Sequence, residues 1–317
     1  MATSRRRIGS PSPRATARRG GRILRTALPI LLLLLLVTAD ASTATGRPRP
    51  RELAYLLETA QSKQRLVVAR GRELRTPIPT MLMSAVSWNP SQDEIAVIRP
   101  IGNLKQIVEL RTLDGGRRLL LSGRPTTFYG IAWSPDGKAL ALLEHDVHEN
   151  GLVEIVDVDT LHRRTIANSI GTLGRVDWST KGQIVVPTTR PHPLSRLVLL
   201  DAASGEVRRV PGPSGRSAAF SPDGRRLAYS AQNGIVVVDL ATHALRQVTD
   251  GGWQDDEPSW SPDGTRLVYT HAFGHCFTPA PGPRCNFDLF VVAVGGGRPV
   301  DITTTPKLLE RTPTWLE

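Results

Sequence analysis

The apolar positions of this chain come in short runs, each broken by turn residues. Trp133 to Glu144 reads WSPDGKALALLE: an aromatic, a Ser-Pro-Asp-Gly turn, then residues 139–143 as an apolar run too brief for a typical helix. Pro135 presets the backbone for the first central turn position, Asp136 has a side chain that bonds local backbone, and Gly137 tolerates positive φ. The string returns as FSPDGRRLAYS from Phe220 and as WSPDGTRLVYT from Trp260, which makes this a repeat protein. Each unit predicts a strand ending in the aromatic, a tight reversal and a second strand. Residues 152–158 and 163–167 supply two further strands after Trp133; residues 227–230, 235–240 and 245–249 do the same after Phe220.

The aromatic anchors are Trp88, Trp133, Trp178, Phe220, Trp260 and Trp315, spaced 45, 45, 42, 40 and 55 residues apart. Those periods suit a four-stranded propeller blade, and the segments between anchors are β-rich. Trp88 is followed by Asn-Pro-Ser-Gln-Asp and Trp178 by Ser-Thr-Lys-Gly, so those two blades keep only part of the turn. Six anchors predict an all-β, six-bladed β-propeller over residues 51–317. Trp315 stands almost at the end of the chain, and the rest of its blade is found at the other terminus. RELAYLLE (residues 51–58) resembles RRLAYSA (225–231), and RLVVARG and RELRTPI follow in the order of a third and fourth strand. Residues 314–316 are therefore expected to add the innermost strand to a sheet begun near the N-terminus, closing the ring and removing an open edge. Leu53, Leu56, Leu57 and Ala60 also fall at helical spacing, which leaves a short helix over 52–64 as the alternative.

On WSPDGKALAL, FSPDGRRLAYS and EPSWSPDGTRLVYT, the chain from about residue 51 to 317 resembles the TolB-like propeller proteins built from the PD40 form of the WD40-like repeat. The resemblance implies a six-bladed propeller, often exported, that serves as a protein-binding platform. The same blades also occur fused to serine peptidases of the prolyl oligopeptidase type, where they gate substrate. This chain has no G-x-S-x-G elbow.

The net charge of +11 invites a nucleic-acid reading that the distribution removes. The first 41 residues hold eight arginines and a single acid, Asp40, leaving +4 on the remainder. A mild excess spread over a domain is a solvated surface, and no nucleic-acid partner is expected. The arginine-rich start precedes thirteen apolar residues, 27–39, and an A-x-A pattern at Ala39-Asp40-Ala41. This is the layout of a secretory signal, shorter than the roughly 20 residues of a membrane span. Residues 1–41 are read as a signal peptide and 42–50 as a linker; an uncleaved anchor at 27–39 is the alternative and the single membrane contact foreseen. The layout places no separate α/β domain between leader and propeller. Cys276 and Cys285 bracket the loop HCFTPAPGPRC, and a disulfide closing it in an oxidising compartment would contribute about 2–3 kcal/mol.

Candidate chemistry concentrates four residues before each anchor, at Ser84, Tyr129, Gly174, Arg216, Asp256 and Arg311. In a propeller these line one mouth of the central channel, joined by Asp255 of the run Asp255-Asp256-Glu257. Tyr129, Arg216, Asp255, Asp256 and Arg311 are the candidate binding residues, suited to a charged peptide end or a sugar acid. The anchors are read as packing between sheets, and Asp136, Asp223 and Asp263 as turn formers with too few oxygens for calcium. His145 and His148 lie among carboxylates in a loop and are read as surface residues, not metal ligands. No catalytic constellation, metal or cofactor is called, because the seven histidines scatter over different loops. The reading is an exported, periplasmic or secreted, monomeric scaffold for a protein or peptide; a channel enzyme, such as a metal-assisted lyase or glycan hydrolase, or a small-ligand sensor is the alternative. N-terminal sequencing of the exported protein should begin at Ser42, and recovery of Leu31 to Leu36 would establish the anchored form.

Overall fold

The structure, a computed structural model, describes residues 52–58, 64–70, 73–75, 83, 85–91, 93–101, 105–122, 127–145, 151–168, 175–188, 196–274, 286–303 and 309–316. The leader, the linker, His148, His275 and the cysteine loop with Cys276 and Cys285 lie outside the described residues.

Among the described residues twenty-four strands form four four-stranded sheets and one eight-stranded sheet. The single parallel pair Phe287 with Leu309 joins the latter from two four-stranded halves, giving six blade units. Blade 1 is β4 (Ala85–Trp88), β5 (Glu94–Pro100), β6 (Gln106–Thr112) and β7 (Arg117–Leu121). Blade 2 is β8 (Thr127–Trp133), β9 (Ala139–His145), β10 (Gly151–Asp157) and β11 (Arg163–Asn168). Blade 3 is β12 (Asp177–Trp178), β13 (Gln183–Thr188), β14 (Arg196–Asp201) and β15 (Val207–Arg209). Blade 4 is β16 (Gly215–Phe220), β17 (Arg226–Ala231), β18 (Gly234–Asp239) and β19 (Leu245–Gln247). Blade 5 is β20 (Asp255–Trp260), β21 (Arg266–Phe273), β22 (Asn286–Ala293) and β23 (Val300–Asp301). Blade 6 joins the two ends of the chain: β24 (Leu309–Leu316) pairs antiparallel with β1 (Glu52–Glu58), followed by β2 (Gln64–Arg70) and β3 (Glu73–Arg75). Residues 52–58 are thus a strand, not a helix. Among the described residues the helical content is a single 3-10 turn, Gly252–Gln254, and no helix is long and apolar enough to cross a membrane.

The apolar core is a series of seams between adjacent sheets. Ile98 and Leu110 of blade 1 meet Trp133 and Leu142 of blade 2; Leu143 meets Ile184 of blade 3; Val185 and Leu199 meet Phe220 and Tyr229 of blade 4; Ala228 and Val237 meet Trp260 and Leu267 of blade 5; Val268 and Leu289 meet Tyr55 and Trp315 of blade 6. The last seam returns to the start, with Leu56 and Leu66 on Ile95 and Val97, and Leu316, Ala54 and Val68 against Trp88. Successive residues of one strand therefore face different neighbours: Leu227 points to blade 3 and Ala228 to blade 5. Both faces are buried, which is why the second and third strands read as continuous apolar runs and not as an alternation.

The Ser-Pro-Asp-Gly turn owes its geometry to the serine. Ser134, Ser221 and Ser261 are buried, and each carbonyl accepts from the turn glycine's N–H at 2.8–2.9 Å. Each hydroxyl donates to the turn aspartate at 2.6 Å and accepts from the first residue of the next strand. These serines hold Asp136 and Asp223 below the usual carboxylate range. Gly137, Gly224 and Gly264 sit at φ of 70°, 62° and 66°, where a Cβ is unfavourable. Blade 3 keeps the glycine and strand bonds with Ser179, with Lys181 where the aspartate would stand, and in blade 1 Asn89 takes the serine's place.

Polar bonds fix the stagger between blades. The anchor N–H of one blade bonds the side chain one residue before the previous anchor: Trp133 to Ser87 at 3.1 Å and Phe220 to Asp177 at 2.7 Å. Farther out, Arg118, Arg164 and Arg226 each donate to a carbonyl of the following blade. Leu316→Ala, in the seam that closes the ring, should cost about 2–4 kcal/mol in urea denaturation. Ser261→Ala, which strips a buried turn of its cap, should cost about 1–3 kcal/mol. A loss below roughly 0.5 kcal/mol for Leu316→Ala, the size of an ordinary surface substitution, would show that the ring does not depend on that seam.

Candidate functional site

The innermost strands of blades 4, 5 and 6 share a distortion absent from the repeat motif. Three residues before the anchor, Ser217, Glu257 and Thr312 take left-handed φ of 47°, 54° and 49°. Each begins a β-bulge in which two residues oppose one buried tyrosine: Tyr229, Tyr269 and Tyr55 respectively. Burial raises the pKa of all three phenols, that of Tyr229 to about 12. Left-handed backbone at a glutamate and a threonine is costly, and such bulges gather where a strand must re-aim a side chain.

The bulges decide which candidate residues meet. Arg216 and Asp256, on adjacent blades, form an ion pair at 3.0 Å, and the arginine lies over the Trp253 ring, 5.2 Å from its centroid. Asp256 also accepts from the Ser230 hydroxyl and the Glu257 N–H, both at 2.8 Å. Asp255, expected beside it, is turned into the protein: it is 2% exposed, 2.5 Å from Nδ1 of His271, and accepts from the Gly251 N–H at 3.0 Å. Arg311 lies 4.4 Å over the Phe287 ring. Tyr129 stands apart on blade 2, half-exposed, its ring 4.4 Å from that of His145. Ser84 and Gly174 lie outside the described residues.

Two residues not among those candidates stand at the centre. Arg175, just before β12 of blade 3, reaches across to blade 6, toward the Pro313 carbonyl at 3.5 Å and the Thr314 hydroxyl at 3.4 Å. Glu257 accepts from the Thr312 N–H at 2.6 Å. The residue as a whole is half-buried, and its carboxyl is surrounded by protein. Desolvation raises its pKa, the neighbouring Asp256 raises it further, and Arg311 and Arg175 only partly offset this. Asp177 is likewise raised by desolvation, opposed by the Phe220 N–H and Arg175. The signal for the bulges was the proline two residues before two anchors, in DEPSW and RTPTW, since proline in a paired strand marks a bulge or an edge. Nothing in the sequence pattern pointed to the reach of Arg175.

Elsewhere, Glu144 and Glu154 share Arg163 inside blade 2, so the carboxylate beside His145 is engaged structurally. Among the described residues no group of three His, Cys, Asp or Glu stands close enough to hold a metal ion.

A glutamate with a raised folded pKa contributes stability below its unfolded pKa, near 4.5, that is lost as pH rises through the folded value. Glu257→Gln should therefore match the parent in acid and become the more stable of the two as pH approaches neutrality, read as thermal midpoints across pH. A parent that gains on the variant over that range would show that its two arginines outweigh its burial and Asp256.

No protein-family model matches the chain. It is 34% identical over 80 residues, 23% of its length, to the Tol-Pal system protein TolB of Francisella tularensis subsp. holarctica, and 33% identical over the same span to that of subsp. mediasiatica. The match spans 18% of those curated relatives. Among solved structures it is similar to TolB from Acinetobacter baumannii, with TM-score 0.68 and 17% identity over 84% of this chain and 66% of that one. It is also similar to a putative TolB from Agrobacterium tumefaciens, with TM-score 0.61 and 14% identity over 84% and 99%. A puromycin hydrolase follows at TM-score 0.55, 16% identity, over 76% and 42%. The fold of this chain is that of a TolB-like β-propeller.

Proposed function

We propose that this protein is an exported, non-catalytic propeller that binds a protein or peptide across the face where its innermost strands begin. The observation that carries this reading is the distribution of exposed aromatic rings. Among the described residues, Tyr129, Trp253 and Phe273 are 36%, 38% and 39% exposed, and all three stand on that face. Tyr129 is near the start of β8, Trp253 precedes β20, and Phe273 ends β21. The exposed aliphatic residues lie elsewhere, Leu113 and Leu161 on tight turns of the opposite face and Leu119, Val207 and Leu245 on outermost strands.

Exposed aromatics backed by arginine are what protein interfaces enrich. The same face carries the connections of widest range in length, from two residues, Gln232-Asn233, between β17 and β18 to twelve, 274–285, between β21 and β22, against two to six on the opposite face. Among the described residues, the turns of the opposite face are closed by backbone hydrogen bonds. Loops of varied length on a rigid frame are where recognition is placed. The described histidines do not converge on a mouth: His162 and His243 sit in turns of the far face, His145 on blade 2 and His271 on blade 5. The curated relatives are named for the Tol-Pal system. For this chain, a periplasmic location and a protein partner follow as part of the proposal.

In-cell crosslinking with mass spectrometry should capture a discrete partner with the parent protein and lose it with a Tyr129→Ser, Trp253→Ser variant of unchanged melting temperature. Identical crosslinks from both proteins would remove this face as the binding surface.

A further inference from the structure

The bulge of blade 6 offers more hydrogen-bond donors than its occupant uses. The left-handed turn at Thr312 aims its N–H at the carboxylate of Glu257, 2.6 Å away. Two further donors on the same strand, Nε of Arg311 and the hydroxyl of Thr312, are buried and make no hydrogen bond. Buried donors without partners are rare and cost about 1–3 kcal/mol each. Arg175 approaches that strand from the far side of the channel through two long bonds, 3.5 and 3.4 Å. Asp256 cannot serve these donors, because Arg216, Ser230 and the Glu257 N–H already engage it.

The occupant is held poorly. Glu257 adopts a left-handed backbone that a glutamate disfavours, stands beside the negative Asp256, and is desolvated enough to keep its proton above the ordinary carboxylate range. A carboxylate arriving from outside, without that backbone strain and placed to reach all the donors, would be bound better.

We propose that Thr312, Arg311 and Arg175 form a carboxylate seat in the channel, occupied by Glu257 in the unbound protein and taken over by a carboxylate of the bound partner. The role given to the partner rests on the binding-platform reading; the seat itself is a property of the purified protein. A peptide carboxylate is the occupant, since the seat stands near the start of an innermost strand, on the face that carries the exposed aromatic rings.

The test empties the seat. Glu257→Gly removes the occupant and suits the left-handed backbone, so the variant should fold. Its melting temperature should rise with added sodium acetate relative to sodium chloride of equal ionic strength, at concentrations roughly tenfold lower than the parent needs, as expected when an internal competitor is removed. Adding Arg311→Met should abolish the acetate response. N-acetylglycine, which mimics a peptide C-terminus, should act at lower concentration than glucuronate; the reverse order would overturn the peptide assignment. No difference between acetate and chloride in Glu257→Gly would overturn the seat and leave Glu257 as an internal brace. Should that variant fail to fold, saturation-transfer NMR of acetate on the parent protein, with Arg311→Met as control, decides the same point: signal lost in the control supports the seat, and equal signal overturns it. Acetate binding without a crosslinked partner keeps the seat and removes the platform, whereas a partner without acetate binding does the reverse.

Discussion

The constraint on which this structure depends is that every sheet has two apolar faces. A sheet buried on one side can end a fold, with its other side in water; a blade whose strands read LALLE or GIVVVD cannot. Each blade requires a neighbour on both sides, and the arrangement that supplies one to all is a ring. That requirement explains why the chain divides one blade between its ends. The antiparallel pairing of β24 with β1 joins the first described strand to the last, and the seam of Leu316, Ala54 and Val68 against Trp88 leaves blade 1 with no exposed flank.

Within that ring the polar groups are sorted by depth and by face. Outer arginines such as Arg118 and Arg164 donate to carbonyls of the next blade, and the buried serines of the turns cap the strand ends. The channel holds charges of both signs that are not fully matched. The left-handed bulges lie on blades 4, 5 and 6, at consecutive positions around the ring, and blade 2 carries a further bulge at Tyr129. Arg175 reaches toward blade 6 from blade 3.

The fold was legible because its determinants are local. The aromatic, the turn and the apolar run fall within about a dozen residues and return at a steady period, and the likeness of RELAYLLE to RRLAYSA was enough to recover the strand at the opposite terminus. The site was legible only in register. Counting four residues back from each anchor found Arg216 and Asp256, which form an ion pair, and Arg311, which acts on Glu257, yet it treated Asp255 as equivalent to Asp256. The pairing of Asp255 with His271 faces the opposite way, since side chains alternate along a strand. Glu257 and Arg175 escaped because their importance comes from a bulge and from a contact between residues 138 apart in sequence, neither of which a period reveals. The leader and the cysteine loop are sequence patterns that fall outside the described residues.

The shared blade also has a consequence in time. Among the described strands, β1 to β3 are synthesised first, but the innermost strand of their sheet, β24, comes last. Until the eight-residue strand Leu309–Leu316 arrives, that sheet lacks its innermost strand, and the flanks of blade 1 and blade 5 lack the cover of Leu316 and Trp315. The ring therefore cannot close before residues 309–316 have been made, and the incomplete sheet is an aggregation hazard until then. Every contact that joins blade 6 to its neighbours through β24 forms late, whatever the order in which the other blades settle.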